Sequence, residues 1–269
     1  APTQSESPFP RRMNPFIRPL LYPHSVPVHP IPGENPMRHL SLALAAMLAV
    51  SVTPVHAALN DTGQELCYDA SNAVADCATV AADDGDRPRQ DARFGRDPAF
   101  AASQYNKIGG GAAGFDFTKI CMSGEAAGTG ACPADPSSVD PSNPGANEWA
   151  CTRDNHTNLI WSIETISNTN WTDATTTHPT SYDSATRCGF DSAWRAPTRR
   201  ELLSIVHHGA SGPAIDTDFF PNTVSGWYWS SDEYAPVPAN AWVVDFSVGD
   251  SNAYDKPVTN RVRLVRSGQ

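Results

Sequence analysis

The sequence is short of basic residues. Lys and Arg total 19 against 29 Asp and Glu, which gives a formal net charge of −10. Residues 1–57 hold four Arg and two Glu, a net of +2, so the remainder of the chain carries −12. Because nucleic-acid binding depends on clustered Lys and Arg that contact phosphates, we expect no nucleic-acid partner. After residue 58 no apolar run is long enough for a membrane helix, so we expect no membrane span in the mature protein.

Motifs for metal and covalent chemistry are also missing. The sequence has no C-x-x-C pair, no His at zinc-finger spacing and no G-x-S-x-G element. A G-x-G-x-x-G match at Gly109–Gly114 precedes "FDFTKI", which is strand-like, whereas a dinucleotide-binding fingerprint precedes a helix. We therefore predict a protein that is not an enzyme and that needs no cofactor.

One acidic run leaves calcium open as a ligand. Asp83–Asp86, with Asp91 and Asp97 nearby, offers the hard oxygen atoms that calcium prefers. The run lacks the closing Glu of an EF-hand loop, and a solvated acidic loop accounts for the same composition.

Residues 37–57 have the pattern of a secretory signal peptide. They combine a basic start at Arg38, an apolar run over Leu40–Val52 and a small residue, Ala57, before the cleavage point. The Pro-rich residues 1–36 precede this signal and are expected to be a disordered upstream leader. The sequence therefore indicates an exported protein, either secreted or held at the cell surface.

All the cysteines follow the predicted cleavage point: Cys67, Cys77, Cys121, Cys132, Cys151 and Cys188. An even number of cysteines in an exported chain indicates disulfides. Six cysteines allow fifteen pairings, and the simplest joins sequence neighbours: Cys67 with Cys77, Cys121 with Cys132, and Cys151 with Cys188.

Two segments of the mature chain differ in composition. Residues 58–147 contain "ADDGDRPRQDARFGRD" and "PADPSSVDPSNPG", which are turn and loop compositions, with a short strand candidate over 114–120. We predict a small, loop-rich segment that is cross-linked by disulfides. Residues 148–269 contain more apolar runs and are predicted to form a domain.

The best local signal in that domain is "WRAPTRRELLSIVHHG". Thr198 and Glu201 fit a capping box, and the apolar residues that follow have helical spacing. We predict a helix over about 199–208 that Gly209 ends. The short β-rich runs "GWYWSSD", "AWVVDFSVG" and "RVRLVR" follow it, so the fold class is predicted to be α+β with short antiparallel strands.

Six motifs occur in order over about residues 148–269: "CTRDNHTNLIW", "WRAPTRRELLSIV", "AIDTDFFPNT", "YWSSDEYA", "AWVVDFSVG" and "RVRLVR". Together they resemble the Lcl C-terminal domain family (DUF1566), named after a bacterial collagen-like adhesin. The resemblance implies a C-type-lectin-like fold, related to formylglycine-generating enzymes and to retroelement variable proteins. It also implies a surface or secreted binding module. The related enzyme needs a reactive cysteine pair, and no cysteine follows Cys188 here.

The loops of this domain mix Tyr, Asn, Asp, Ser and Lys with turn formers, a composition typical of binding surfaces. The predicted ligand-binding residues are Asp232, Tyr234, Asn240, Asp245, Ser247, Asp250, Asn252, Tyr254, Asp255, Lys256, Asn260 and Arg261. We expect the ligand to be a glycan or a protein on another surface. The alternatives are a self-assembling surface or fibre component that forms homo-oligomers, a retroelement-diversified variable protein, and an enzyme of the formylglycine-generating type.

Two further expectations concern large side chains. Trp194, Trp229 and Trp242 should fill the core, which makes "GWYWSSDEY" mainly scaffold. Several cations could form a basic patch, with the two arginines of "RVR" on one face of the last strand: Arg199, Arg200, Lys256, Arg261, Arg263 and Arg266. Without such a patch, a sulfated glycan would be a poor ligand for so acidic a chain.

Overall fold

The structure is a computed structural model that describes residues 61–69, 71, 74–75, 77, 90–104 and 106–268. The predicted signal peptide and leader lie outside these residues. The first elements are strands β1 (Cys67–Tyr68) and β2 (Val74–Ala75), helices α1 (Asp91–Phe94) and α2 (Arg96–Ala101), and strands β3 (Phe117–Cys121), β4 (Trp149–Asp154), β5 (Leu159–Ser162) and β6 (Ile166–Thr169). A π-helical turn (Asp173–Thr177), helix α3 (His178–Ser184), a 3₁₀ turn (Arg187–Gly189) and helix α4 (Arg199–Ser204) follow. The chain ends with strands β7 (Trp227–Glu233), β8 (Asn240–Asp245), β9 (Asp250–Asp255), β10 (Asn260–Val262) and β11 (Val265–Ser267).

The strands after residue 116 form two sheets. A four-stranded antiparallel sheet has the order β11-β5-β4-β3, and a five-stranded sheet has the order β6-β10-β7-β8-β9. In the five-stranded sheet only the β10–β7 pair is parallel. Strand β3, from the loop-rich segment before residue 148, completes the four-stranded sheet. Two sheets and short helices confirm the predicted α+β class.

The β4–β5 turn follows from the sequence "DNHTN". The buried Asp154 carboxylate accepts hydrogen bonds from the backbone N–H groups of His156 and Thr157 and from the Thr157 hydroxyl. Such Asx-type bonding replaces the backbone ladder where a strand reverses. The turn places β4 and β5 side by side in the four-stranded sheet.

Consecutive residues of both sheets are buried on opposite faces. Tyr228 and Val244 belong to one core cluster, and the next residue of β7, Trp229, and the preceding residue of β8, Val243, belong to a second. In the four-stranded sheet, Trp161 and Ile160 of β5 are divided between the same two clusters. Side chains of a strand alternate between its two faces, so each sheet has apolar side chains on both faces. The burial of Trp229 and of Trp194 confirms two of the three expected core tryptophans.

Helix α4 is shorter than predicted. The capping box is present: Thr198 Oγ1 accepts from the Glu201 N–H, and the Glu201 carboxylate accepts from the Thr198 N–H. The helix ends at Ser204, however, and not at residue 208. The backbone N–H groups of His207 and His208 donate to remote carbonyls, those of Ala214 and Thr62, which helical geometry would not allow.

Three disulfides join cysteines that are neighbours in sequence: Cys67–Cys77, Cys121–Cys132 and Cys151–Cys188. This is the simplest of the fifteen possible pairings. Among the described residues, no helix is long and apolar enough to cross a membrane.

Candidate functional site

A pair of half-buried aromatic rings lies at the edge of the second core cluster. The ring centroids of Trp227 and Tyr254 are 5.2 Å apart, with the planes at 72°, and both rings pack against that cluster. Trp227 lies opposite Asp245 of β8, and Tyr254 lies opposite Ala241. Because residues directly opposite each other share a face, the aromatic pair reaches across three strands on one face of the sheet.

Polar side chains share this face. Asp250 lies opposite Asp245, and Asn252 of β9 alternates in step with Asp250 and Tyr254. Asp250 and Asn252 are exposed, whereas Asp245 is half-buried and accepts a 2.8 Å hydrogen bond from the Ser247 N–H. Neither carboxylate forms an ion pair with any residue in the described part of the chain.

We call this surface the aromatic–acidic face, and it consists of Trp227, Asp245, Asp250, Asn252 and Tyr254. Four of these five residues were predicted from the loop composition. Trp227 was missed because "GWYWSSDEY" was interpreted mainly as scaffold. The sequence feature that could have identified Trp227 is its position as the first residue of a strand. A side chain at that position lies nearer the rim of the sheet than the side chain two residues later.

Lys256 lies close to this face but is already engaged. Its Nζ atom is 2.5 Å from Glu233 Oε1 and 4.2 Å from the centre of the Trp171 ring. The Trp171 backbone N–H donates to the Lys256 carbonyl, and its indole N–H donates to the Ser230 carbonyl. The charge of Lys256 is therefore balanced locally, and the ammonium covers one face of the Trp171 ring.

Two predicted ligand-binding residues instead contact helix α4 and its neighbours. Asp232 accepts a 2.8 Å hydrogen bond from the Arg199 N–H, at the first residue of the helix. The Arg199 guanidinium lies 4.0 Å from the centre of the Trp242 ring, and Tyr234 contacts that ring edge-on at 5.0 Å. Trp242 is therefore half-buried beneath Arg199, and the expectation that it fills the core was wrong. These contacts hold the helix against the sheet.

The other predicted residues are dispersed. Asn240 and Asp255 lie opposite each other at the ends of β8 and β9, and Ser247 lies in the turn between those strands. Asn260 and Arg261 lie on β10, between β6 and β7, and are half-buried. The structure thus divides the predicted set, and Asp245, Asp250, Asn252 and Tyr254 are the members that share a face with an aromatic partner.

The expected basic patch does not form. The segment "RVRLVR" is divided between β10 and β11, which belong to different sheets. Arg263, between those strands, is fully buried and donates a 2.6 Å hydrogen bond to the Ser162 carbonyl. Arg266 is also buried, and its guanidinium lies 3.6 Å from the centre of the Phe190 ring. These arginines stabilise the interior and are not available to a ligand.

Two clefts open elsewhere. One, of about 270 Å³, is lined by residues of 63–68 and 207–209, and the other, of about 410 Å³, by residues of 140–142, 164–165 and 221–224. None of the predicted ligand-binding residues lines either cleft. In the first cleft, burial lowers the pKa of His208, the adjacent His207 lowers it further, and Asp250 opposes both effects.

Free thiols and clusters of metal-binding side chains would support catalytic or metal chemistry. All six cysteines are in disulfides, so the protein has no free thiol. Within the described residues, no group of three or more His, Cys, Asp or Glu side chains could hold a metal ion. The possible calcium loop at Asp83–Asp86 and the side chain of Asp97 lie outside the described part of the chain.

The fold and site define a disulfide-bonded α+β domain with polar and aromatic side chains on one sheet face. Residues 150–266 match the family model described as the Lcl C-terminal domain, which confirms the resemblance of this region to that family. A comparison of the chain with curated proteins finds no match.

Proposed function

We propose that residues 148–269 form a C-type-lectin-like binding domain of an exported, non-enzymatic protein. The domain holds a glycan or a protein of another surface against the aromatic–acidic face. The observation that supports this proposal is the contact between Trp227 and Tyr254, which leaves two partly exposed rings beside exposed Asp250 and Asn252. Aromatic rings beside polar side chains provide rigid contact area together with adaptable hydrogen bonds.

Export is the second part of the proposal. The three disulfides agree with an oxidising environment such as a periplasm or the cell exterior. The signal-peptide pattern over 37–57 points to the same compartment. The Lcl C-terminal domain match is consistent with a surface protein.

Array binding tests the proposal. The purified protein is applied to glycan and surface-protein arrays, with calcium and again with a chelator. We expect saturable binding to one ligand class that Tyr254→Ala weakens about fivefold or more, because truncation of an aromatic anchor in a binding interface typically costs more than about 1 kcal/mol. Tyr234→Ala is the matched control, since Tyr234 also meets a tryptophan edge-on but lies against Trp242. Equal binding by both variants and the wild type would remove the aromatic–acidic face as the site.

One observation favours a self-assembling surface component as a second candidate. Among the described strands, β9 is an edge strand that pairs with β8 alone, so its other side offers backbone groups to a further strand. Asp250 and Asp255 at its two ends oppose pairing with a second copy, because like charges would meet. Light scattering at high concentration separates the two candidates: a monodisperse monomer supports the binding module, and concentration-dependent growth supports assembly.

A further inference from the structure

The aromatic–acidic face carries two carboxylates and no cationic side chain of its own, and the His208 imidazole interacts electrostatically with Asp250. Asp245 and Asp250 lie directly opposite each other on β8 and β9. Like charges in this arrangement destabilise a sheet, and no ion pair within the described residues offsets them. Lys256, which follows the far end of β9, is paired with Glu233 at 2.5 Å. Trp227 lies directly opposite Asp245, which lies opposite Asp250, so a ligand that contacts the Trp227 ring lies in the same row as both carboxylates.

The aromatic pair determines what kind of molecule can lie there. Both rings are partly exposed, and among the described residues no cation is stacked on either ring. This contrasts with Trp171 and Trp242, whose faces are covered by Lys256 and Arg199. Partly exposed aromatic rings suit flat, partly apolar groups such as the C–H face of a sugar ring. Cations are also attracted to such faces by the ring quadrupole.

We propose that this face selects glycans that carry free amines, such as glucosamine oligomers, over acetylated and sulfated glycans. This inference rests on the proposed function. The sugar ring contacts Trp227 and Tyr254, and an adjacent ammonium group lies between Asp245 and Asp250. The amide of Asn252, exposed on the same face, is placed to hydrogen-bond a ring hydroxyl. A sulfated chain is repelled by the same two carboxylates, and the buried Arg263 and Arg266 cannot compensate.

The expected preference follows from Coulomb's law. One carboxylate about 6 Å from an ammonium, in a water-like dielectric, changes affinity about threefold, so two carboxylates give about tenfold. Salt screens exposed charges over a Debye length of about 10 Å at 0.1 M. The preference should therefore shrink as ionic strength rises, while the stacking contribution of the aromatic rings remains.

Titration calorimetry of the whole protein tests the proposal with three probes: a glucosamine hexamer, its N-acetylated counterpart and a heparin hexamer. The titrations are run at about pH 5.5, where the sugar amines are protonated. We expect the amine hexamer to bind about tenfold more tightly than the acetylated one at low salt, with less than threefold left at high salt, and no binding of heparin. The double variant Asp245→Asn/Asp250→Asn should lose the amine preference and retain binding of the acetylated probe. Asp255→Asn, on the same strand but the opposite face, is the control.

Any other outcome overturns the proposal that the two carboxylates select amine-bearing glycans. Equal binding of the two hexamers, unchanged in the double variant, would refute it and leave glycan binding in place. Tighter binding of heparin would refute it and point to a cationic surface. Failure of all three probes would overturn it as well. In that case an array signal for another ligand, lost in Tyr254→Ala, would show that the proposed function itself still stands.

Discussion

The buried ion pair between Glu164 and Arg187 offers a quantitative test of how the interior is held together. Their side chains are 18% and 4% exposed, and Glu164 Oε2 lies 3.2 Å from Arg187 Nη2. The Tyr182 hydroxyl donates to the same carboxylate oxygen. Glu164→Gln preserves the size of the side chain and an acceptor for Tyr182, but it leaves the Arg187 guanidinium buried without its ion-pair partner.

Removal of one partner of a buried pair usually costs about 3–5 kcal/mol. Arg187 would still donate to the Pro141 and Ser142 carbonyls and lie over the Tyr182 ring at 4.7 Å. These remaining contacts, and the partial exposure of Glu164, lead us to expect a loss at or below the lower end of that range, about 2–3 kcal/mol.

The assay is equilibrium urea unfolding with the disulfides intact, in which the unfolding free energy of each variant is compared at a constant slope. The control is Asp135→Asn, which breaks the Lys119–Asp135 pair, where Asp135 is 86% exposed; we expect no measurable change. A Glu164→Gln midpoint equal to that of the wild type would refute the reasoning, because it would mean that Arg187 is solvated or balanced by another group.

Two further expectations concern stability. The Cys151–Cys188 disulfide has a sequence separation of 37 and Cys121–Cys132 one of 11, so loop entropy gives about 4 and about 3 kcal/mol. Replacement of each pair by Ala should therefore destabilise the protein more for Cys151–Cys188, and the reverse order in urea unfolding would contradict this. For Glu201, burial alone would raise the pKa, but hydrogen bonds from Arg195 and Thr198 outweigh burial and hold the pKa below 4.5. The folded state therefore binds this proton less tightly than the unfolded state, so the stabilisation is complete above pH 4.5 and is lost as the pH falls through the folded pKa. Unfolding measured between about pH 3 and 6 should show a shallower pH dependence for Glu201→Gln, and identical slopes would contradict the assignment.

Local signals in the sequence predicted local structure well. The capping box at Thr198 formed as expected, because its atoms lie within four residues of one another. The predicted end of the same helix was wrong. The backbone N–H groups of His207 and His208 donate hydrogen bonds to the carbonyls of Ala214 and of Thr62, and Thr62 is remote in sequence. A helical pattern of apolar residues cannot reveal partners that only the tertiary fold supplies.

The candidate site shows the same limit. Alternation along "RVRLVR" suggested one strand with Arg261 and Arg263 on a single face, but the chain passes from one sheet to the other within those six residues. Arg263 therefore lies in the interior. Loop composition identified Tyr254 and Asp250, yet the register that places them beside Trp227 depends on the pairing of three strands. Periodicity gives the face of a residue and leaves its neighbours across the sheet undetermined.

The central claim is that a glycan binds on the aromatic–acidic face, and the most direct test follows the indole N–H signals of the seven tryptophans by NMR. The protein is titrated with the glucosamine hexamer. We expect the Trp227 indole signal to move progressively to saturation, while those of the fully buried Trp161 and Trp229 stay in place. Saturable binding in which Trp227 is unmoved and Trp242 shifts instead would contradict the account and place the ligand on the opposite face of the sheet.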